Sequence, residues 1–328
     1  MTRPLPDASV VIVSFNTRDI LRTCLASLAR AAGSRDIEVI VVDNNSHDGS
    51  AGMVAAEFPT VSLIHSQTNL GFAAGNNAAL ERARGRYVIL LNPDTLLDRN
   101  ALQRAIAHMD AAPSVGMAGG RLLNRDGSDE PAARQFPSVF NDFLALSGLA
   151  ARFPRSRLFG RFDRTWAPVT QAADVDWVPG AFAIIRREVL DQVGRFDERF
   201  FLYYEEVDLC RRIKAAGWRI RYWPDIVVHH WGGESSKTLT EHTLSNSGSQ
   251  LVLWRMRSAL LYYHKQHGRL AAWAAARLEI GWHALRRGKA RLPGGNPDKS
   301  TESDQIASLM RQAWAETLGG RNSPSRPW

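Results

Sequence analysis

The sequence predicts an α/β fold built on a mostly parallel sheet, and three observations carry that expectation. Short apolar, β-branched runs alternate with helical patterns through about the first 120 residues. Polar clusters stand directly after three of those runs. With 328 residues, 45% hydrophobic and 23% charged, the chain is ordinary for a soluble globular protein and long enough to bury a sizeable core. That composition excludes wholesale disorder, collagen and a disulfide scaffold.

The elements follow in order. Residues 8–15 (ASVVIVSF) form a first buried strand. Thr17 then caps a helix whose apolar positions Ile20, Leu21, Cys24, Leu25 and Leu28 recur at intervals of three and four. Residues 37–42 (IEVIVV) are a second strand, and Ser50 is the N-cap of a helix that stops before Pro59. Residues 61–65 are a third strand, 72–84 a helix of small residues and 87–91 (YVILL) a fourth strand. A helix over 100–111 and a strand over 115–118 complete this half. Residues 124–176 have weak periodicity and many Arg, Phe, Pro and Gly, and are expected to be an irregular, partly mobile insertion. Order returns with a strand over 182–186, a helix over 206–216 and a strand near 218–223. No repeats occur. The stretch after Leu292 (PGGNPDKSTESD) reads as a linker.

Cys24 and Cys210 are far apart and unpatterned, which favours a reducing compartment. The first residues hold no apolar stretch of signal-peptide length. No window reaches the roughly 20 apolar residues of a membrane span.

Ligands of open parallel sheets bind at the carboxyl ends of strands. Ser14-Phe15-Asn16, the run from Asp43 through Asn45 to Ser50, and Asn92-Pro93-Asp94 all fall there, on one rim. Each alone is ordinary turn chemistry; together they point to a site. Neither a Gly-x-Gly-x-x-Gly fingerprint nor a Gly-x-x-x-x-Gly-Lys loop is present, so phosphate must be neutralised another way. A carboxylate holding a divalent cation would serve, with Asp94 as the candidate.

The chain resembles family-2 glycosyltransferases with the GT-A fold, nearest in pattern to a bacterial rhamnosyltransferase-like branch that builds cell-surface polysaccharides. The resemblance rests on VVIVSFNTRDILRTCLASL (10–28), VIVVDNNSHDGS (39–50), NLGFAAGNN (69–77) and YVILLNPDT (87–95). It continues in WVPGAFAIIRREVL (177–190), FDERFFLYYEEVDLCRRIKAAGW (196–218) and VVHHWGGESS (227–236). RMRSALLYYHKQHG (255–268) resembles the segment that comes next in that branch.

The resemblance implies a nucleotide-sugar pocket at Ser14, Phe15, Asn16, Asp43 and Asn45, completed by Asn69, Gly71 and Asn76. Asn92-Pro93-Asp94 would stand for the Asp-x-Asp metal motif, leaving Asp94 as its main carboxylate and Asn92 beside it. His230, in a His-x-Gly-Gly-x-Ser pattern, would be the far metal or diphosphate ligand. Trp177, Gly180, Ala181 and Arg212 would lie on the acceptor side. The family's acidic motif falls on Glu205-Glu206-Val207-Asp208, and its usual base position on Glu206. Glu206 stands where Asp is usual, so the base is open among Glu205, Glu206 and Asp208. For Asp208 and Arg212 the alternative is an ion pair one helical turn apart.

The expected function is inverting, metal-dependent transfer of a sugar from a dTDP- or UDP-sugar, L-rhamnose being the expected unit. The acceptor would be a glycan or lipid-linked glycan. Nucleotide-sugar synthesis and non-catalytic glycan or lipid binding are the alternatives. The expected divisions are a catalytic domain over 1–245 (donor half to about 120), a basic amphipathic helical segment over 246–292, and a linker and tail over 293–328. Residues 251–291 hold nine basic side chains and one acid, Glu279, and so account for the whole net charge of +8. Leu270, Trp273, Ala274, Leu278, Trp282 and Leu285 share one face there, which fits a helix lying on an anionic membrane at the cytoplasmic side. Packing on the catalytic domain or a dimer contact are the other readings. No nucleic-acid module is visible.

Overall fold

The computed structural model describes residues 5–231, 247–293 and 296–325. In chain order they form β1 (Ala8–Ser14), α1 (Arg18–Ala32), β2 (Ile37–Asp43), α2 (Ser50–Glu57), β3 (Ser62–His65), α3 (Gly71–Leu80), β4 (Tyr87–Leu91), β5 (Thr95–Leu97), α4 (Ala101–Ala111) and β6 (Val115–Leu123). There follow β7 (Asp129–Glu130), α5 (Val139–Leu146), α6 (Leu149–Arg152), β8 (Ala173–Asp174), β9 (Phe182–Arg186), α7 (Arg187–Val193), α8 (Glu205–Ala215) and β10 (Arg219–His230). The chain closes with α9 (Ser247–His267), α10 (Arg269–Ala290) and α11 (Pro297–Glu316).

One sheet runs β3-β2-β1-β4-β9-β6-β10-β5, with β7 on β6 and β8 on β10. β1 to β4 are mutually parallel, as are β6 and β10, while β9 and β5 run against their neighbours. β4 is buried at every position and β1 at all but one, so helices cover both faces and the strands read as unbroken apolar runs. Ser14 is level with Asp43, and Ile12 with Leu91. The three polar clusters therefore do leave the sheet on one rim.

Several expectations need correction. Thr17 occupies the N-cap position of α1, but its hydroxyl meets Ser14 Oγ at 2.8 Å instead of capping. Ser50 is the first helical residue of α2, and Gly49 is its N-cap. The 124–176 segment holds two short helices and two short strands, organised around Arg134, whose guanidinium lies between Phe162 (4.5 Å) and Trp177 (4.6 Å). The boundary near residue 120 falls inside β6, so the sheet continues across it. The expected linker over 293–328 contains α11, which starts with Asn296 accepting a hydrogen bond from Asp298 N and Pro297 in the first turn. Its buried face is small or modest (Ser303, Ala307, Met310, Ala313), which is why composition hid it.

The C-terminal helices are not a separate unit. Leu253, Met256, Leu260, Tyr262, Tyr263, Ala272, Ala276 and Met310 belong to the same buried core as the sheet. Gly268, at φ +82°, breaks α9 from α10. α10 buries Ala272, Ala275, Ala276 and His283, while Leu270 (81%), Trp273 (49%) and Leu285 (72%) are exposed. The expected apolar face is thus split: Ala274, Leu278 and Trp282 are half-buried. The basic excess is also partly spent inside the chain. Arg286 pairs with Glu302, Arg287 and Arg291 with Asp304, Arg257 with Glu316, and Lys265 with Asp197 and Asp208. Among the described residues no helix is long and apolar enough to cross a membrane.

Candidate active site

A cavity of about 330 Å³ opens where β1 and β4 end. Phe15, Asn44, Asn69, Gly71, Asn92, Asp94 and His230 line it. The Asn69–Phe72 loop forms its wall and is tied down from two sides. Asn44 Oδ1 accepts from Leu70 N and its Nδ2 donates to Gly71 O, while Asn69 Oδ1 accepts from Gly71 N. Phe72 N donates to Phe201 O. Gly71 sits at φ +78°, and a Cβ there would come within 2.3 Å of Phe201 O, so both the backbone angle and the close approach require glycine.

Of the predicted pocket residues, Phe15, Asn69, Gly71, Asn92 and Asp94 line this cavity and Ser14, Asn16, Asp43, Asn45 and Asn76 do not. Ser14 and Asn16 hold the rim together: Asn16 Oδ1 accepts from His47 N, and Asn16 N donates to Ser46 Oγ. Asn45 has φ +66° and serves the turn; its neighbour Asn44 faces the cavity instead. Asn76 donates to Phe72 O within α3. Asp43 is 1% exposed; its Oδ2 meets Ser46 N and His65 Nδ1, and its Oδ1 has no partner among the described residues. A buried acceptor without a partner, next in sequence to the cavity-lining Asn44, calls for a donor from outside the described residues.

At the inner end, Asp94 is 5% exposed and its Oδ1 has no hydrogen bond. His230 Nε2, on β10, lies 3.4 Å from that oxygen and 3.4 Å from Asn92 Nδ2. His230 Nδ1 meets Glu130 Oε2 at 2.7 Å. Burial opposes a charged His230 ring, but the carboxylates of Asp94 and Glu130 prevail and hold its pKa up at about 9. A buried carboxylate oxygen whose near neighbour is an imidazole, itself held at its other nitrogen by a second carboxylate, fits a divalent cation and its outer shell. Among the described residues no group of three or more His, Cys, Asp and Glu could hold a metal unaided, so further ligand atoms would come from a bound diphosphate. His229, by contrast, turns to Asp98 at 3.2 Å. The Gly-Gly-x-Ser part of the predicted histidine pattern lies outside the described residues.

A second cavity, of about 550 Å³, shares Phe72, Asn92, Leu202, Tyr203 and His230 with the first. Trp177, Gly180, Ala181, Glu205 and Glu206 line it. Trp177 Nε1 donates to Gln135 O, so this ring is both packed and facing the cavity. Tyr203 and Tyr204 each have φ +69°. Two successive non-glycine residues in the left-handed region store roughly 1–3 kcal/mol each, and such strain concentrates at functional sites. Here it turns the first residues of α8 toward the cavity.

Glu205 is 3% exposed and its Oε2 is unpartnered, as is Glu206 Oε2. Burial and the Glu206 charge push the Glu205 carboxyl well above its ordinary range. Burial raises Glu206 too, but the Arg134 charge and the backbone N–H groups of Val207 and Gly180 favour its ionised form. Burial thus opposes ionisation of both carboxyls, and at Glu206 the Arg134 charge and the backbone N–H groups offset it.

Asp208 and Arg212 fall outside both cavities. Asp208 is fully buried and accepts from Arg212 Nε (3.0 Å), Lys265 Nζ (2.8 Å) and Gln266 Nε2 (2.7 Å). Arg212 also holds the carbonyls of Val193, Gly194 and Arg195. Both residues join α8 to its surroundings, and their contact at 3.0 Å is the ion pair one helical turn apart that the sequence offers as the alternative. Sequence reasoning did not single out Glu130 or Tyr203, and took Asn44 only as a member of the polar run 43–50; the left-handed turn before α8 leaves no sequence signal.

Residues 9–194 match the family model described as Glycosyl transferase family 2. Among curated proteins, the chain is 30% identical over 264 residues to an N-acetylglucosaminyl-diphospho-decaprenol L-rhamnosyltransferase of Mycobacterium tuberculosis (strain ATCC 25618 / H37Rv), covering 77% of this chain and 84% of the relative. It is 24% identical to a rhamnosyltransferase of Escherichia coli (strain K12), covering 77% of this chain and 91% of that one. Among solved structures, a mannosyltransferase from Pyrobaculum calidifontis in complex with GDP-Man and Mn2+ aligns with a TM-score of 0.54 and 18% identity over 96% of this chain and 88% of that chain. This last likeness concerns the fold alone.

Proposed function

Because the chain belongs to glycosyl transferase family 2, we propose that it moves L-rhamnose from dTDP-rhamnose, with inversion, onto a lipid-linked glycan acceptor. Family membership sets aside nucleotide-sugar synthesis and non-catalytic binding. The rhamnosyl and diphospholipid parts of the reading come from the relatives' activities. The observation that carries the reading is the shared wall of the two cavities: the one ending at Asp94 and the one holding Glu205 and Glu206 meet at Asn92, Tyr203 and His230.

In this arrangement the donor's base and ribose occupy the rim between Phe15, Asp43 and Asn69. Asp94 and His230 would hold a divalent cation, which would supply charge stabilisation for the leaving diphosphate. The acceptor enters beside Trp177 and Gly180. Glu206 takes the proton from the attacking hydroxyl, a contribution of roughly 10²–10⁴ in rate. Glu205, whose ionisation burial and the Glu206 charge oppose, stands beside it.

α10 supports a weak peripheral membrane contact at the cytoplasmic face. Leu270, Trp273 and Leu285 point outward, and Arg269, Arg277 and Lys289 form no ion pair among the described residues. At roughly 1 kcal/mol per unpaired cation near an anionic surface, the electrostatic part is about 3 kcal/mol. The donor site is tested by thermal shift with UDP, dTDP, GDP and CDP, each with and without Mn2+. The reading expects Mn2+-dependent stabilisation by dTDP above the rest; no shift with any nucleotide contradicts it.

A further inference from the structure

The segment 255–268 has no part in the donor site. Its polar side chains are mostly engaged within the chain. Arg257 pairs with Glu316 and stacks on Trp254. Ser258 donates to Leu202 O, Tyr263 donates to Asp142 Oδ2 at 2.6 Å, and Lys265 and Gln266 hold Asp208. Arg255 is the exception among the segment's cations. It makes no hydrogen bond or ion pair among the described residues and lines the 550 Å³ cavity.

Asp142 on α5 and Glu279 on α10 line the same cavity. The Arg255 charge acts on both carboxyls, yet neither reaches it at ion-pair distance. Three ionisable groups thus stand round one space without closing on one another. Tyr263 adds a ring whose hydroxyl is committed to Asp142. Met256, Leu260 and Met310 supply the apolar remainder.

The chemistry of the occupant follows from that wall. A hydrocarbon tail would cover a guanidinium that has no partner among the described residues and set it beside two carboxyls held only by Tyr263 and His283, at a cost of several kcal/mol. A phosphate would meet two acids for one base. A sugar hydroxyl both donates to a carboxylate and accepts from a guanidinium, and the C–H face of a pyranose suits apolar and aromatic walls. The volume lies within the roughly 300–1,000 Å³ of small-molecule sites.

We infer that Arg255, Asp142 and Glu279 form a carbohydrate subsite that holds the acceptor glycan by its hydroxyl groups, so that the C-terminal helices select the acceptor. This rests on the acceptor reading of the cavity. It gives α9 and α10 a function inside the site, distinct from any membrane contact of their outer face.

The test is saturation-transfer NMR with the methyl glycosides of N-acetylglucosamine, galactose, mannose and rhamnose at millimolar concentration, with and without dTDP and Mn2+. Wild type is compared with Arg255→Ala, Asp142→Asn and Glu279→Gln. Arg255 is exposed enough for its alanine variant to fold even where a buried change fails. At least one glycoside binds wild type and is weakened about tenfold or more in each folded variant, as expected for losing a hydrogen bond to a charged group. Equal binding in wild type and Arg255→Ala overturns the subsite, as does no binding of any glycoside, or inorganic phosphate held through Arg255 in their place. The dTDP thermal shift, read on the same samples, separates these outcomes from a failure of the donor site.

Discussion

The four-residue run Glu205-Glu206-Val207-Asp208 makes the sharpest prediction, because three similar carboxylates one turn apart should respond to mutation in three ways. Asp208→Asn removes a charge that Arg212 and Lys265 both face at full burial. Breaking a buried pair costs roughly 3–5 kcal/mol. The lower end applies, since Arg212 keeps three carbonyls and Lys265 keeps Asp197. At about 2 °C per kcal/mol for a chain of this size, the melting temperature should fall by about 6 °C. Turnover of the folded fraction should be near normal. Glu206→Gln should do the reverse: turnover falls by roughly 10²–10⁴, while stability holds or rises, because burial already disfavours the charge that is removed. Glu205→Gln replaces a carboxyl whose ionisation burial and the Glu206 charge oppose, so activity should stay within about tenfold of wild type, less than the loss of a general base. The assay is nucleoside-diphosphate release beside thermal denaturation of the same preparations. Lost turnover at unchanged stability in Asp208→Asn, or full turnover in Glu206→Gln, would refute the division of roles.

Three further outcomes are expected. Gly71→Ala forces a Cβ to 2.3 Å from Phe201 O at φ +78°; it should cost roughly 1–3 kcal/mol in stability and weaken nucleotide binding in a calorimetric titration. Burial pushes the Asp142 carboxyl up to about 6, against the pull of the Tyr263 hydroxyl and the Arg255 charge. The folded protein therefore keeps a proton that the unfolded chain releases near pH 4, and this group's contribution to stability is lost as pH rises from about 4 to 6, by up to ~3 kcal/mol; Asp142→Asn should flatten that part of a stability–pH curve. Leu270→Ser with Trp273→Ser should abolish flotation with anionic liposomes at low salt and leave dTDP binding intact; flotation equal to wild type would remove α10 as the contact.

The strands of the donor half were legible because β1 and β4 carry apolar runs where the sheet is covered on both sides, and β2 carries one over Val39–Val42. The outer half of β10 was not: its pattern is broken by Pro224 and Asp225, and it ends in two histidines whose partners come from β7 and from Asp98, just past β5. α11 was hidden by its small buried side chains. The same contrast holds for the site. Phe15, Asn92 and Asp94 directly follow strands, so position alone singled them out, whereas Asn69 came from the family resemblance. Asp142, Arg255 and Glu279 come from α5, α9 and α10, more than 100 residues apart at the extremes, and only tertiary packing brings them to one cavity.

Rhamnosyl transfer itself is the most direct test. Purified protein is incubated with dTDP-rhamnose, Mn2+ and an N-acetylglucosaminyl diphospholipid, and the products are read by mass spectrometry and NMR. The expected result is one deoxyhexose added per acceptor, an anomeric configuration opposite to that of the donor, equimolar dTDP, and loss of all three in Asp94→Ala. Transfer that persists unchanged in Asp94→Ala, or no transfer from any nucleotide-sugar under conditions where the nucleotide binds, would contradict the assignment.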